Sequence, residues 1–471
     1  MKVLKTKIAL VRKAIETADI YSAAAVFDIA NSNEQRKLEC LMFSKRRNAL
    51  LLARWEHTPA SVLQALSENV LRSSDNANAD TAILTRLEKN PNTPQRALSE
   101  QYESEKNTQK KSTFTVLIAQ HQHTPIQVLK RIAQHENDIE SLKAVSRNVS
   151  ANASVLGVLV NRMPLTFDKY VVAHLSTSAD LLMLIHDRGD VYARAAVMRH
   201  ENCPRSLIEH AECKDDLALI ALRQLAKDVR LSKKFLAKIS ASKDSAVRCG
   251  VASNLATPKT LVRQLLNDSS VAVRRAIASR NDLTIASIKV LMHDKDVWVR
   301  QWLARNLKLP CKLLKQLSLD AHVDVRRAVA RNPHCPIELL DRLAKDESAW
   351  VKSAVAYQKK TPKRLLELLA EDAEVDVLSG VANNQHTPQK ILQKLTLSAE
   401  ADIRRGVILN ANATRKTLLP LLEDSYYLHR LMLVTKPQLK EMDIWHLCDD
   451  PDFQVRFMAV RHFANKLQLN S

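Results

Sequence analysis

Arginine and tryptophan are the residue types in this chain whose placement could act on another molecule. Arg275, Arg327 and Arg405 each stand two places after an aliphatic residue, Val273, Val325 and Ile403, and Arg280, Arg305 and Arg331 lie near the ends of the segments that follow. A guanidinium holds five donors in a rigid fork that fits a carboxylate or a phosphate. Trp298 and Trp350 recur in one register, and tryptophan on an open surface anchors partners. These eight residues are the expected binding set. Lysines 259, 312, 315, 363, 390 and 394 add charge around them. Trp302 falls in a column of small residues and is expected to fill a gap in the core, and gap filling between repeats is the structural expectation for the other two tryptophans as well.

Other chemistries find no support in the sequence. No serine, histidine and acid arrangement and no carboxylate pair forms a recognisable catalytic set. The 5 glycines make no cluster that could wrap a phosphate or a dinucleotide. His334 and Cys335 are adjacent, and His57, His123 and His386 hold the same turn position elsewhere. Units two apart would set such residues roughly 20 Å from one another, too far for a tetrahedral zinc. The expectation is no catalytic residue, no metal and no cofactor.

The net charge is +20 and the isoelectric point near 9.6, a field that concentrates polyanions or acidic proteins. Aromatic residues are 4% of the chain, which argues against a platform stacking a series of unpaired bases. The 7 cysteines lie apart without a CxxC pair, so a reducing, cytoplasmic setting is expected. Lys5, Lys7, Arg12 and Lys13 interrupt the apolar start, and neither an export signal nor a membrane span is expected.

The elements that must position these side chains follow from a repeat of 26 residues. Val247, Val273, Val299, Val325, Val351, Val377 and Ile403 open successive units, and arginine follows directly in five of them, Arg248, Arg274, Arg300, Arg326 and Arg404. Val325, Ala328, Val329 and Asn332 have the spacing of one helix face. Asn332 is expected to close that helix in the left-handed conformation. Thr257-Pro258, Cys335-Pro336, Thr361-Pro362 and Thr387-Pro388 are expected to cap and begin a second helix, whose stripe is Leu339, Leu340 and Leu343 in the clearest unit. Asp268, Asp294, Asp320, Asp346, Asp372 and Asp450 stand six places before the column that contains Arg274, Arg300, Arg326 and Arg456. Those arginines are expected to pair within or between repeats, as an internal ladder, which turns the search for function toward the off-column set above. Gly250, Ala276, Ala328, Ala354, Gly380 and Gly406 form a small column that lets helices approach closely.

Residues 320–346 reproduce almost letter for letter the line DxxxxVRxxVAxNPxTPxxxLxxLAxD, with Cys335 in place of threonine, and so the chain resembles the leucine-rich repeat variant family, relatives in outline of HEAT and armadillo repeats. The resemblance implies a right-handed superhelix of alternating α-helices and short 3₁₀-type helices. Family members with an iron–sulfur cluster carry it on clustered N-terminal cysteines, and only Cys40 lies in that region here; no cluster is carried over. The expected architecture is an all-α solenoid of about fifteen two-helix repeats, on the order of 130 Å long. Residues 1–45 would cap it, 46–245 would hold degenerate repeats, 246–424 the regular ones, and 425–471 the last repeats and a closing helix. Ser73 to Asn78 and Glu103 to Ser112 read as polar loops. The function expected of such a surface is that of a non-enzymatic scaffold for an acidic protein partner. The alternative is a nucleic-acid binder without sequence preference. A third reading, base excision at Trp298, Asp296 and Trp350, comes from a similarity in composition to HEAT-like alkylpurine DNA glycosylases.

Overall fold

The computed structural model describes residues 2–72, 80–105, 111–212 and 218–469; the expected loop at 73–78 and the middle of that at 103–112 lie outside them. Every regular element among the described residues is an α-helix or a short 3₁₀ helix. One compact unit runs to Leu207 and takes in the chain from Trp445 onward, and the other is Ile208–Ile444.

In the second unit each 26-residue repeat is a helical hairpin. Val323–Arg331 is followed by Ile337–Leu343, Ala349–Tyr357 by Lys363–Leu369, and Val375–Asn383 by Gln389–Leu395. The opening valines are buried completely, as are the second-helix leucines Leu340 and Leu366. The closest packing runs from the first helix of one repeat to the first helix of the next. Small residues make it possible: a Cβ added at Gly380 would lie 2.6 Å from the Cβ of Ala356 in the preceding repeat. First helices therefore crowd together, and second helices touch one another less in this unit.

Two polar ladders fix one repeat to the next. In the first, Arg274 Nε and Nη2 donate to the two oxygens of Asp294 at 2.6 and 3.1 Å, and its Nη1 donates to the Asp268 carbonyl at 2.8 Å. Arg300 does the same with Asp320 and Asp294, and Arg326 with Asp346 and Asp320. Arg248 and Arg404 reach Asp268 and Asp424, while Lys352 reaches Asp372 with a single bond. Pairing is thus always between repeats, to the aspartate 20 residues on. The residue six before, an aspartate for Arg274, Arg300 and Arg326 and a serine for Arg248 and Arg404, contributes its backbone carbonyl instead. The Arg248 fork holds the Asp268 carboxyl below the usual carboxylate range.

The second ladder changes the expected role of asparagine. Asn332 closes its helix with φ −67° and ψ 124°, an extended conformation. No left-handed turn is needed, because its side chain does the closing. Nδ2 donates to the carbonyls of Ala304 and Asn306 at 2.8 and 3.1 Å, and Oδ1 accepts from the His334 N–H at 2.9 Å. Asn384 and Asn410 repeat the pattern, and Gln358 donates to the corresponding carbonyls of its own preceding repeat, Ala330 and Asn332. Threonine also differs from expectation: Thr361 Oγ1 donates back to the Val355 carbonyl at 2.6 Å. The second helix has Pro362 as its N-cap, without a side-chain cap. That helix is α rather than 3₁₀, since Leu366 N–H bonds to the Pro362 carbonyl four residues earlier.

The first unit uses the same ladders with other side chains. Asn90 and Asn148 donate to Ala53 and Trp55, and to Ala119 and His121. His121, His174 and His200 take the asparagine position, with Nε2 2.7, 2.8 and 2.9 Å from the carbonyls of Asn90, Asn148 and His174. Burial lowers the His121 pKa, which favours the neutral ring that donates at Nε2 and accepts the His123 N–H at Nδ1. The helix Phe453–Leu469 packs on Ile20–Val26. Arg456 donates to its own Asp450 carbonyl at 2.7 Å, as a ladder arginine does, and to Asp19 Oδ2 at 3.1 Å. Arg461 reaches Asp28, and Tyr21 lies 4.3 Å from Phe453 by ring centroids. Within the first unit the final helix therefore rests on helices from the start of the chain. Asp19 sits at a helix N-cap and offers Arg456 the carboxylate that a further repeat would have supplied.

Replacing Arg300 with alanine leaves the nearly buried Asp320 carboxylate without its fork. The expected loss is about 3 kcal/mol, read as lower exchange protection in the helices at 297–304 and 323–331. Asp424 ordinarily titrates at 3.8; burial would raise it, yet the Arg404 fork and the Tyr426 N–H outweigh burial and hold it at about 2. A depressed carboxylate stabilises fully above its unfolded value and ceases to do so as pH falls through its folded one. Melting temperature is accordingly expected to be flat near neutral pH and to drop between 3.8 and about 2, with a smaller drop in Asp424→Asn.

Candidate binding surface on the first helices

Within a first helix the opening aliphatic and the residues three, four and seven places on face the core. The residue before it and those two and six places on then share the opposite stripe. In three successive repeats of the second unit that stripe reads Trp298, Gln301 and Arg305; Asp324, Arg327 and Arg331; Trp350, Ser353 and Tyr357. Trp298 and Trp350 are 53% and 55% exposed, so they do not fill gaps between repeats. Trp302 is 41% exposed, in a column where Ala328 and Ala354 are buried. An indole cannot enter a space shaped for a methyl group, and it turns outward.

Each of these tryptophans carries a guanidinium. Arg275 Cζ lies 5.6 Å from the Trp298 ring centroid, Arg327 5.0 Å from Trp350, and Arg305 5.4 Å from Trp302, within cation–π range. Sequence reasoning named most of the members of this surface but not their pairing, because each pair joins residues 23 apart on facing helices or three apart on one. Arg275 is also held by Asp296, through two bonds of 3.1 Å. Asp296 accepts the Val299 N–H as helix cap as well, and its carboxyl is kept low by Arg275 although burial opposes this. Arg405 is exposed on Ala401–Leu409, separated from Arg327 by repeats with Ser353 and Ser379 in its column.

Arg280 does not join the surface. It is buried, donating to the Ala252 and Asn254 carbonyls at 2.8 and 2.6 Å and to Asp282 through a fork. Its position is that of the ladder asparagines, one residue beyond the column of Arg305 and Arg331.

The first unit has a basic region that the sequence reading passed over. Arg46, Arg47, Leu50, Leu51, Arg54 and Arg86 wall a cleft of about 270 Å³. Arg54, Thr85, Arg86 and Lys89 wall an adjoining one of about 320 Å³. Arg46 is paired with Asp80, and Arg86 donates to the Ala82 carbonyl. Aligning on Pro59 and Pro94 places Arg54 and Lys89 in the column of Arg331, which is the signal that could have found them. Among the described residues no group of three histidine, cysteine, aspartate or glutamate side chains could hold a metal, and no helix is long and apolar enough to cross a membrane. The Cys335 thiol is buried and pushed up to about 12 by desolvation.

Residues 323–348 match the family described as leucine rich repeat variant. No curated protein matches the chain. Among solved structures, one titled a leucine-rich repeat variant with a novel repetitive structural motif is 24% identical. The match covers 55% of this chain and 94% of that one, at a TM-score of 0.33. UNC-45 from Drosophila melanogaster is 12% identical over 96% of this chain and 63% of its own, at 0.15. Kap121p bound to Ste12p is 14% identical over 93% and 44%, at 0.16.

Arg331 is surrounded by its own kind: desolvation first, then Arg327 and Arg305, lower its pKa from arginine's ordinary value. Replacing it with glutamine removes an i,i+4 repulsion and is expected to stabilise Val323–Arg331 by about 0.3 kcal/mol, seen as slower amide exchange in that helix.

Proposed function

We propose that the chain is a non-enzymatic binding scaffold whose second unit engages an acidic segment of a protein partner on this stripe of its first helices. The observation that carries this reading is the set of three arginine–tryptophan stacks on neighbouring helices, open to solvent. Stacked guanidiniums are ordered before a partner arrives, so less side-chain entropy is lost on binding. Exposed indoles supply apolar area beside the charge, the composition of interface hot spots. Arg275, Arg305, Arg327, Arg331, Trp298 and Trp350 would be the anchors, with Arg405 at the edge, in a cytoplasmic setting.

Binding of nucleic acid without sequence preference is the second reading, favoured by the arginine and lysine clefts of the first unit. Salt separates the two. Several phosphate contacts make affinity fall by roughly a thousandfold or more between about 50 and 200 mM salt, whereas a stack of indole on protein depends on salt much less. Capture from lysate at physiological salt is expected to recover a defined acidic protein. Trp298→Ala and Trp350→Ala are each expected to weaken it by about tenfold or more. Recovery of nucleic acid alone, or tryptophan variants that bind the protein unchanged, would sink the first reading.

A further inference from the structure

The stripe on the first helices of the second unit holds positive charge that its own repeat pattern leaves unanswered. In two other repeats the arginine two places after the opening aliphatic is neutralised by an aspartate of the next repeat, Arg223 by Asp244 and Arg275 by Asp296, whereas Arg405, far along the array, faces Tyr426 in that register. The same register places Ser348 opposite Arg327. Arg327 Nε is buried without a hydrogen-bond partner, and its guanidinium rests on Trp350. Arg331 lies one turn further along the same helix, and Arg305 stands in the same column one repeat before. Among the described residues none of the three is ion-paired. Arg331 is exposed, and partial desolvation followed by the like charges of Arg327 and Arg305 lowers its pKa from arginine's ordinary value. Such an arrangement is held in the fold at a cost, and an anion of high charge density would relieve it.

The rest of the molecule shows which anion. Each ladder rung satisfies one arginine fork with one carboxylate, so three unpaired forks on two neighbouring first helices exceed what a single carboxylate can answer. The cluster is also short. In the column of Arg305 and Arg331 the neighbours are Ser279 and Tyr357, and in the column of Arg327 they are Gln301 and Ser353. A phosphodiester backbone needs a continuing track of cations, and this one ends on both sides. A compact dianion with three acceptor oxygens fits both limits. Trp302 and Trp350, 41% and 55% exposed, flank the cations with apolar area suited to residues on either side of the charged group.

We propose that Arg305, Arg327 and Arg331 form a receptor for a phosphate monoester borne on a side chain of the acidic partner, an assignment that rests on the reading of this face as the partner surface. The test uses the full chain and isothermal titration with an acidic peptide carrying one central phosphoserine, the same peptide with glutamate there, inorganic phosphate, and single-stranded DNA. The phosphopeptide is expected to bind at least about tenfold tighter than the glutamate peptide and tighter than phosphate alone. Arg331→Gln and Arg327→Gln should each remove most of that preference. Arg331→Lys, which keeps the charge without the fork, should also lose most of it, with melting temperature showing that each variant is folded. Equal affinity for the two peptides overturns the receptor and leaves the acidic-partner reading standing. Binding of neither peptide removes that reading itself and the receptor with it. Inorganic phosphate binding as tightly as the phosphopeptide overturns the partner-borne group, and DNA binding more tightly than either overturns the monoester.

Discussion

The structure depends on one arginine geometry. A single guanidinium donates through Nη1 to the carbonyl six residues before it and through Nε and Nη2 to the carboxylate of the next repeat, 20 residues on. The backbone bond fixes the turn within a repeat and the fork fixes the neighbour, so local and long-range order are set by the same side chain. An ammonium group has no such fork, and Lys352 makes only the outer bond. Because neither partner is left unanswered, the pair can lie nearly out of water without the penalty that a lone charge would bring. The amide ladder adds a second tie at the helix end, and its requirement is for donors rather than for asparagine. Histidine, glutamine and, at Arg280, arginine meet it.

That regularity gives meaning to departures from it. Where Asp244 and Asp296 answer an arginine, the fold is being held together; where Ser348 takes the same register and Arg327 is left open, packing offers no reason for the charge. Trp302 is a departure of the same kind. A column of methyl and hydrogen side chains exists so that first helices can touch, and an indole there must leave the contact and stand on the surface. Both departures fall on neighbouring repeats, which is why the candidate surface is compact. At the other end of the sequence, Asp19 shows the ladder used once more, between Arg456 and a helix that precedes every repeat.

The hairpins, their core columns and the existence of an aspartate–arginine ladder were legible in the sequence because a fixed period turns each requirement into a visible column. Valine at the opening position and leucine in the second helix are all that burial needs, and the structure buries them. The candidate surface was legible in part. Arg305, Arg327 and Arg331 stand out in the sequence as residues that packing does not require, whereas Trp298 and Trp350 were expected to fill gaps between repeats and are exposed instead. Arg280 was misplaced by a single position, since a one-residue shift on a helix end moves a side chain from the outer stripe into the amide ladder. Arg54 and Lys89 were missed because the spacing around them is irregular and their column is visible only when aligned on Pro59 and Pro94.

What the sequence by itself determined is periodic: an all-α array of two-helix units, with small residues where helices meet and charges in columns. It could do so because burial and helix spacing act over a few residues at a time. Which aspartate each arginine takes, which arginine is left without one, how asparagine ends a helix, and that the last helix rests on the first were decided only by tertiary structure. Those outcomes depend on the distance and angle between neighbouring repeats. A side chain several ångströms long can reach either its own turn or the next, and sequence spacing leaves both open until packing chooses.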